Sequence, residues 1–177
     1  GWATVPSRTY PLGAVAGNLV GFMGTDGAQT GLELMYDDTC LGASNGTETY
    51  ERSPDGVRLP GSAVTTDPAQ DGGTLKLTID SDLQWFVQQR LSEYALSLGA
   101  QWGAAAVVRV ADGHIMAMAD YPSVDPNDVG GVGTDALGSR AFSTPVEPGS
   151  VMKMPAAATL LDENVADPYT RLETPGS

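Results

Sequence analysis

The sequence predicts an α+β fold. A small β-rich, loop-rich region over residues 1–73 precedes a sheet-and-helix region over residues 74–177. Three observations lead there. Turn dipeptides recur through the first region at Asp26-Gly27, Asn45-Gly46, Asp55-Gly56 and Asp71-Gly72, separated by short segments such as NLVGFMG and VRLP. Apolar residues then return at helical spacing from Leu83 to Leu98. Finally, two apolar runs flank Asp112-Gly113, the pairing that closes a tight hairpin.

The second region can be read element by element. TLKLTID, Thr74 to Asp80, alternates as a strand does. Leu83, Phe86, Val87, Leu91, Tyr94, Ala95 and Leu98 form one apolar helical face, with Ser81 and Gln84 as a capping box and Gly99 as the stop. The Ala and Val run from Ala104 to Val108 predicts a central strand covered on both faces. YPSVDPNDVGGVGTDALG is a long Gly/Pro/Asp loop, and a second helix is expected from Ser150.

Composition narrows the function. Hydrophobic residues make up 41% of the chain, enough for a packed core, while 22 Gly and 12 Pro call for many turns. A net charge of −13 repels phosphate backbones and anionic lipid heads, which excludes nucleic acid as an expected partner. One cysteine, Cys40, allows no intramolecular disulfide, and with one histidine, His114, it allows no His/Cys zinc site. Neither a metal nor a cofactor is expected. No apolar run approaches the roughly 18 residues of a membrane span. The abrupt ends, GWATVPSRTY and RLETPGS, read as those of a piece cut from a longer protein.

Most candidate sites fail on their own chemistry. His114 directly follows the hairpin turn, where side chains face solvent, and lies outside the expected chemistry. Asp125, Asn127 and Gly130 resemble part of a calcium loop, but Val129 replaces a ligand and Ala136 stands where the closing Glu belongs. Gly131 and Gly133 lack the third glycine of a dinucleotide fingerprint. Asn45-Gly46-Thr47 is a formal glycosylation sequon, and the carboxylates show no glycosidase spacing.

Ser150 and Lys153 are different. Pro148-Gly149 ends a loop, and Ser150 opens an apolar helix with Lys153 one turn on, on the same face. A serine oxygen there lies near the positive helix end, favourable for a developing alkoxide. Met152, Ala156 and Leu160 would wall the lysine, and lost solvation favours the neutral amine that can accept a proton. The same residues also fit an N-cap serine followed by a snorkelling lysine. Pro155 sits awkwardly for both readings unless it lies in the first helical turn.

Five ordered motifs separate these alternatives. SRTYPLGAVAGNLVGFMGTDG resembles an R-x-Y-P-x-G segment leading to a G-x-D turn, and GLELMYDDTCLGASNG resembles a G-L-E segment. LTIDSDLQWFVQQRL, VVRVADGHIMAMADYPSVDPN and SRAFSTPVEPGSVMK then follow in order. Together the chain resembles the class B penicillin-binding proteins, the peptidoglycan transpeptidases of cell division and elongation. The resemblance implies that residues 1–73 form a non-catalytic pedestal or dimerisation-type region. It implies that residues 74–177 open a serine β-lactamase-like transpeptidase domain, incomplete in this chain. Ser150 becomes the expected nucleophile and Lys153 its base. Peptidoglycan stem peptides ending in D-Ala-D-Ala, β-lactams and membrane-bound cell-wall assembly proteins become the expected partners. The expected location is outside the cytoplasmic membrane, anchored by a helix upstream of Gly1.

The departures are specific. Ser139-Arg140-Ala141 stands where the family usually has Asn-Arg-Ala, and the S-x-N and K-[ST]-G motifs are absent. The fragment alone is therefore expected to be inactive. Two other functions share parts of the pattern: a non-catalytic scaffold in a cell-wall complex, and a β-lactamase or D,D-carboxypeptidase. RTYPLG and GLE argue against the latter, because those compact enzymes lack such a pedestal.

Overall fold

The computed structural model describes residues 8–171. Its first elements are short, as the recurrent turn dipeptides dictate. They are α1 (Gly17–Val20), β1 (Met23–Gly24), β2 (Gly27–Ala28) and α2 (Gly31–Tyr36), which continues into a π-helical turn, Asp37–Leu41. β3 (Thr47–Thr49) and β4 (Val64–Asp67) follow. Then come α3 (Ser81–Ser97), β5 (Gly103–Val108), β6 (Ile115–Tyr121) and α4 (Arg140–Ser143). The strands pair as three antiparallel ribbons, β1-β2, β3-β4 and β5-β6. The chain divides into two compact units, Gly1–Thr144 and Pro145–Ser177.

Two sequence segments expected to belong together meet in the first unit. Arg8 donates from Nε and Nη2 to the two carboxylate oxygens of Glu33, at 2.8 and 2.6 Å. The Glu33 carboxylate is buried, so this two-pronged geometry compensates the charge that water would otherwise solvate. Two residues on, the Tyr10 hydroxyl accepts from the Met23 N–H at 2.8 Å. The R-x-Y and G-L-E segments thus form one lock.

Helix α3 begins and ends on well-formed caps. Asp80, not Ser81, is the N-cap: its carboxylate accepts from the N–H groups of Asp82 and Leu83. At the other end Gly99 takes φ 63°, its N–H bonds Leu96 O, and the Ala100 N–H bonds Ala95 O, the Schellman arrangement. The expected stop is correct, whereas the Ser81–Gln84 capping box is not.

Gln84 is fully buried, with 0% of its surface exposed. Its Nε2 donates to Met118 O at 2.8 Å and its Oε1 accepts from the Met118 N–H at 2.7 Å, so one amide pairs both backbone groups on the outer edge of β6. Four residues on, Gln88 does the same for another segment, donating to Ala14 O at 2.9 Å and accepting from the Ala16 N–H at 3.2 Å. The helix therefore packs on β6 through Gln84, Gln88 and Ala95. Of the expected apolar face, Ala95 is buried and Leu83, Val87 and Leu91 are half-buried, whereas Phe86, Tyr94 and Leu98 are exposed. The alternation of residue types did not distinguish an amide satisfying a sheet edge from a solvated one.

The hairpin forms as predicted, with Gly103 opposite Tyr121 and Val107 opposite Ala117. Its two strands are not equally buried. β6 carries the core, with Ala117, Met118 and Ala119 buried, whereas β5 alternates half-buried and exposed residues. The expectation of a β5 covered on both faces is thus corrected. So is the strand expected over Thr74–Asp80. That segment runs beside β6 on two bonds, the Thr78 hydroxyl to Ile115 O and the Asp80 N–H to Met116 O, too few for a ladder.

Two further amides close the unit. Asn127 accepts from the Tyr10 N–H and donates to Tyr10 O, and Asn18 accepts from the Val124 N–H while donating to the carbonyls of Pro122, Ala136 and Gly138. Gly17 permits this approach, since a Cβ there would lie 2.0 Å from Val124 O. Among the described residues no helix is long and apolar enough to cross a membrane.

Two outcomes follow. Gln84→Met keeps the volume but strands both Met118 backbone groups, and is expected to destabilise the unit by about 3 kcal/mol in denaturant unfolding. Burial holds the Tyr10 phenol above its ordinary range, although the Met23 N–H works the other way. The unfolded chain then releases that proton first, so stability is intact below pH of about 10 and falls as pH rises beyond it. Tyr10→Phe should flatten that alkaline decline; an unchanged slope would contradict the assignment.

Candidate active site

Unit Pro145–Ser177 is built on one helical stretch. A 3-10 turn, Gly149–Met152, opens it and α5 (Lys153–Asp162) continues it. Gly149 takes φ 52°, a conformation that lets the chain turn sharply into the helix. Pro155 is the third residue of α5, within its first turn, where the missing N–H costs little.

Ser150 and Lys153 are three residues apart across the junction. The Lys153 N–H donates to Ser150 O, closing the turn between them. Residues i and i+3 of a 3-10 turn nearly eclipse, so a backbone bond of this type starts such a pair from the same side of the chain. Ser150 is not the N-cap, a position taken by Pro148, and its side chain makes no capping bond. The cap alternative for Ser150 therefore finds no support in the geometry.

The apolar wall around Lys153 is not present within this unit. Lys153 is exposed, and Met152 (54%) and Leu160 (45%) are about half exposed. Ten residues of α5 alone cannot enclose a lysine, so the desolvation expected from the sequence does not arise here.

The other sequence candidates fall elsewhere. His114 lies in the β5-β6 turn, where its Nδ1 is 2.5 Å from Arg109 Nη2 and its N–H donates to Asp112 Oδ1. Arg109 also grips the Asp112 carboxylate and holds it below the usual carboxylate range. Asp125 accepts from both the N–H and Nδ2 of Asn127, a local turn that occupies the supposed calcium ligands with each other.

Sequence reasoning passed over Asp120 and noted Ser139 only as a departure from the family's Asn. Asp120 Oδ1 accepts from the Ala141 N–H at 2.9 Å, while Asp120 Oδ2 and Ser139 Oγ are buried without a hydrogen-bond partner. An acid following AMA in a strand carries no marker that it will reach a helix twenty residues on.

The family model of the penicillin binding protein transpeptidase domain matches residues 103–177, a stretch that begins with β5 and contains both Ser150 and Lys153. The penicillin-binding protein PbpB of Mycobacterium tuberculosis is 39% identical over 172 residues. By this match and this identity the chain is similar to the class B penicillin-binding proteins. Peptidoglycan D,D-transpeptidase FtsI of Escherichia coli is 32% identical over 168 residues. The alignments cover 96% and 94% of this chain but only 25% of PbpB and 28% of FtsI, so the chain spans about a quarter of these relatives. A crystal structure of a peptidoglycan synthetase from Bifidobacterium adolescentis superposes with a TM-score of 0.73 at 29% identity, over 96% of this chain and 31% of that one. The α+β class expected from the sequence is the class these structures share.

Proposed function

We propose that the protein containing this chain is a peptidoglycan D,D-transpeptidase acylated on Ser150, with Lys153 as the base. The observation that supports the reading is the spacing of the two residues, three apart and joined by the Lys153 N–H to Ser150 O bond, inside the stretch that matches the transpeptidase model. Ser150 Oγ attacks the carbonyl between the two terminal D-alanines of a stem peptide, and its proton passes to Lys153 Nζ. The C–N bond breaks, and the leaving D-alanine takes the proton back. An amine from a neighbouring stem then resolves the ester and forms the cross-link.

The first N–H groups of a helical stretch lack internal acceptors, so the Ser150 N–H is suited to hold the developing oxyanion. Neutral Lys153 requires desolvation beyond what α5 supplies, and that enclosure belongs to the remainder of the domain. Residues 1–73 serve as pedestal and residues 74–177 as the opening of the catalytic domain. A membrane anchor upstream places both on the outer side of the cytoplasmic membrane, where stem peptides, β-lactams and cell-wall assembly proteins are encountered.

The test is β-lactam exposure of the intact parent, followed by mass spectrometry and peptide mapping. A long-lived adduct on Ser150 is expected, absent in Ser150→Ala. Lys153→Arg keeps its proton and should slow acylation by about a thousandfold. His114→Ala should leave the rate unchanged. An adduct on another residue, or undiminished acylation in Lys153→Arg, would overturn the reading. Rapid loss of the adduct would favour a hydrolase instead. The 177-residue chain alone is expected to take up little or no labelled penicillin.

A further inference from the structure

The short helix α4 is capped from outside its own sequence. Ser139 occupies the N-cap position with an extended backbone (φ −83°, ψ 112°), the conformation in which serine normally bonds the second or third helical N–H. It makes no such bond, and its hydroxyl is buried without a partner. The Ala141 N–H, at the second helical position, instead donates to Asp120 Oδ1 at 2.9 Å. Asp120 stands near the end of β6 and is only 4% exposed. Water does not reach the carboxylate there, and the Ala141 N–H is its one hydrogen-bond donor among the described residues.

We infer that Asp120 is a positioning residue for acylation: it fixes α4 to the sheet in place of a cap from Ser139, and so fixes the point from which the chain leaves for Ser150. The inference rests on the acylation reading. Along the chain, α4 and Ser150 are separated by Thr144-Pro145-Val146-Glu147-Pro148, in which two prolines restrict the backbone. A change at the exit of α4 therefore meets fewer backbone conformations able to absorb it.

Position 139 provides an internal control. Asparagine is a strong N-cap with a longer reach than serine, so Ser139→Asn gives α4 a cap of its own. The Asp120 and Ser139 substitutions should then be coupled. Asp120→Asn retains an acceptor at Oδ1 and should keep most of the wild-type rate.

The experiment measures β-lactam acylation of the intact parent in Asp120→Ala, Asp120→Asn, Ser139→Asn and the double variant Asp120→Ala/Ser139→Asn. Initial binding and the chemical step are separated by concentration dependence. Asp120→Ala is expected to slow the chemical step by about ten- to a hundredfold with initial binding little changed. The double variant should recover most of that loss. If Asp120→Ala does not fold, recovery of folding and acylation in the double variant carries the same test. An unchanged rate in a folded Asp120→Ala, or no recovery in the double variant, would overturn the inference. Adduct mapping in the wild type separates this from failure of the acylation reading, since no Ser150 adduct at all refutes that reading first.

Discussion

The first unit depends on a run of side-chain amides that take the place of backbone partners. Gln84 pairs both groups of Met118, Gln84 Nε2 also approaches Gln88 Oε1 at 3.4 Å, and Gln88 pairs Ala14 and Ala16. An amide carries one acceptor and one donor group at nearly the spacing of a peptide unit, so it can stand in for one rung of a ladder. A buried backbone group without such a partner costs on the order of 1–3 kcal/mol, and these amides satisfy several at once. They also hold Ala16 at φ 55°, a left-handed conformation that a non-glycine residue keeps only when its surroundings dictate it.

This polar mode of assembly explains what was legible in the sequence and what was not. The length and stop of α3, the hairpin at Asp112-Gly113 and the short ribbons before residue 73 follow from local signals: caps, turn dipeptides and periodicity. The facing of α3 followed only in part. Leu83, Val87, Leu91 and Ala95 lie on the packed side as hydropathy places them, but Phe86 and Tyr94 are exposed, and the buried Gln84 and Gln88 find their value in partners 34 and 74 residues away. Spacing along the chain contains no record of such partners. Thr74–Asp80 alternates like a strand too, yet it meets β6 on only two bonds, at Ile115 and Met116, and Gln84 takes over the edge from Met118.

The candidate site was legible to a different degree. Ser150 and Lys153 were identified by type and spacing, and in the structure the Lys153 N–H bonds Ser150 O across the end of a 3-10 turn. The enclosure expected for Lys153 was inferred from neighbours in sequence, and a single exposed helix does not provide it. Asp120 illustrates the reverse case, a residue with no local signature whose role emerges only when β6 and α4 are brought together. The lock of Arg8 on Glu33 holds the early motifs to each other, and the amides from Asn18, Gln88 and Asn127 join them to α3 and to the segment that follows β6.

That joining is the central claim, and native-state hydrogen exchange tests it most directly. The N–H groups of Tyr10, Ala16, Met118 and Val124 each donate to an amide oxygen distant in sequence, from Asn127, Gln88, Gln84 and Asn18. If the amides make one cooperative structure, all four should exchange with a common opening free energy and a common denaturant dependence. Exchange of Tyr10 and Ala16 at a much lower free energy, insensitive to denaturant while Met118 stays protected, would contradict it.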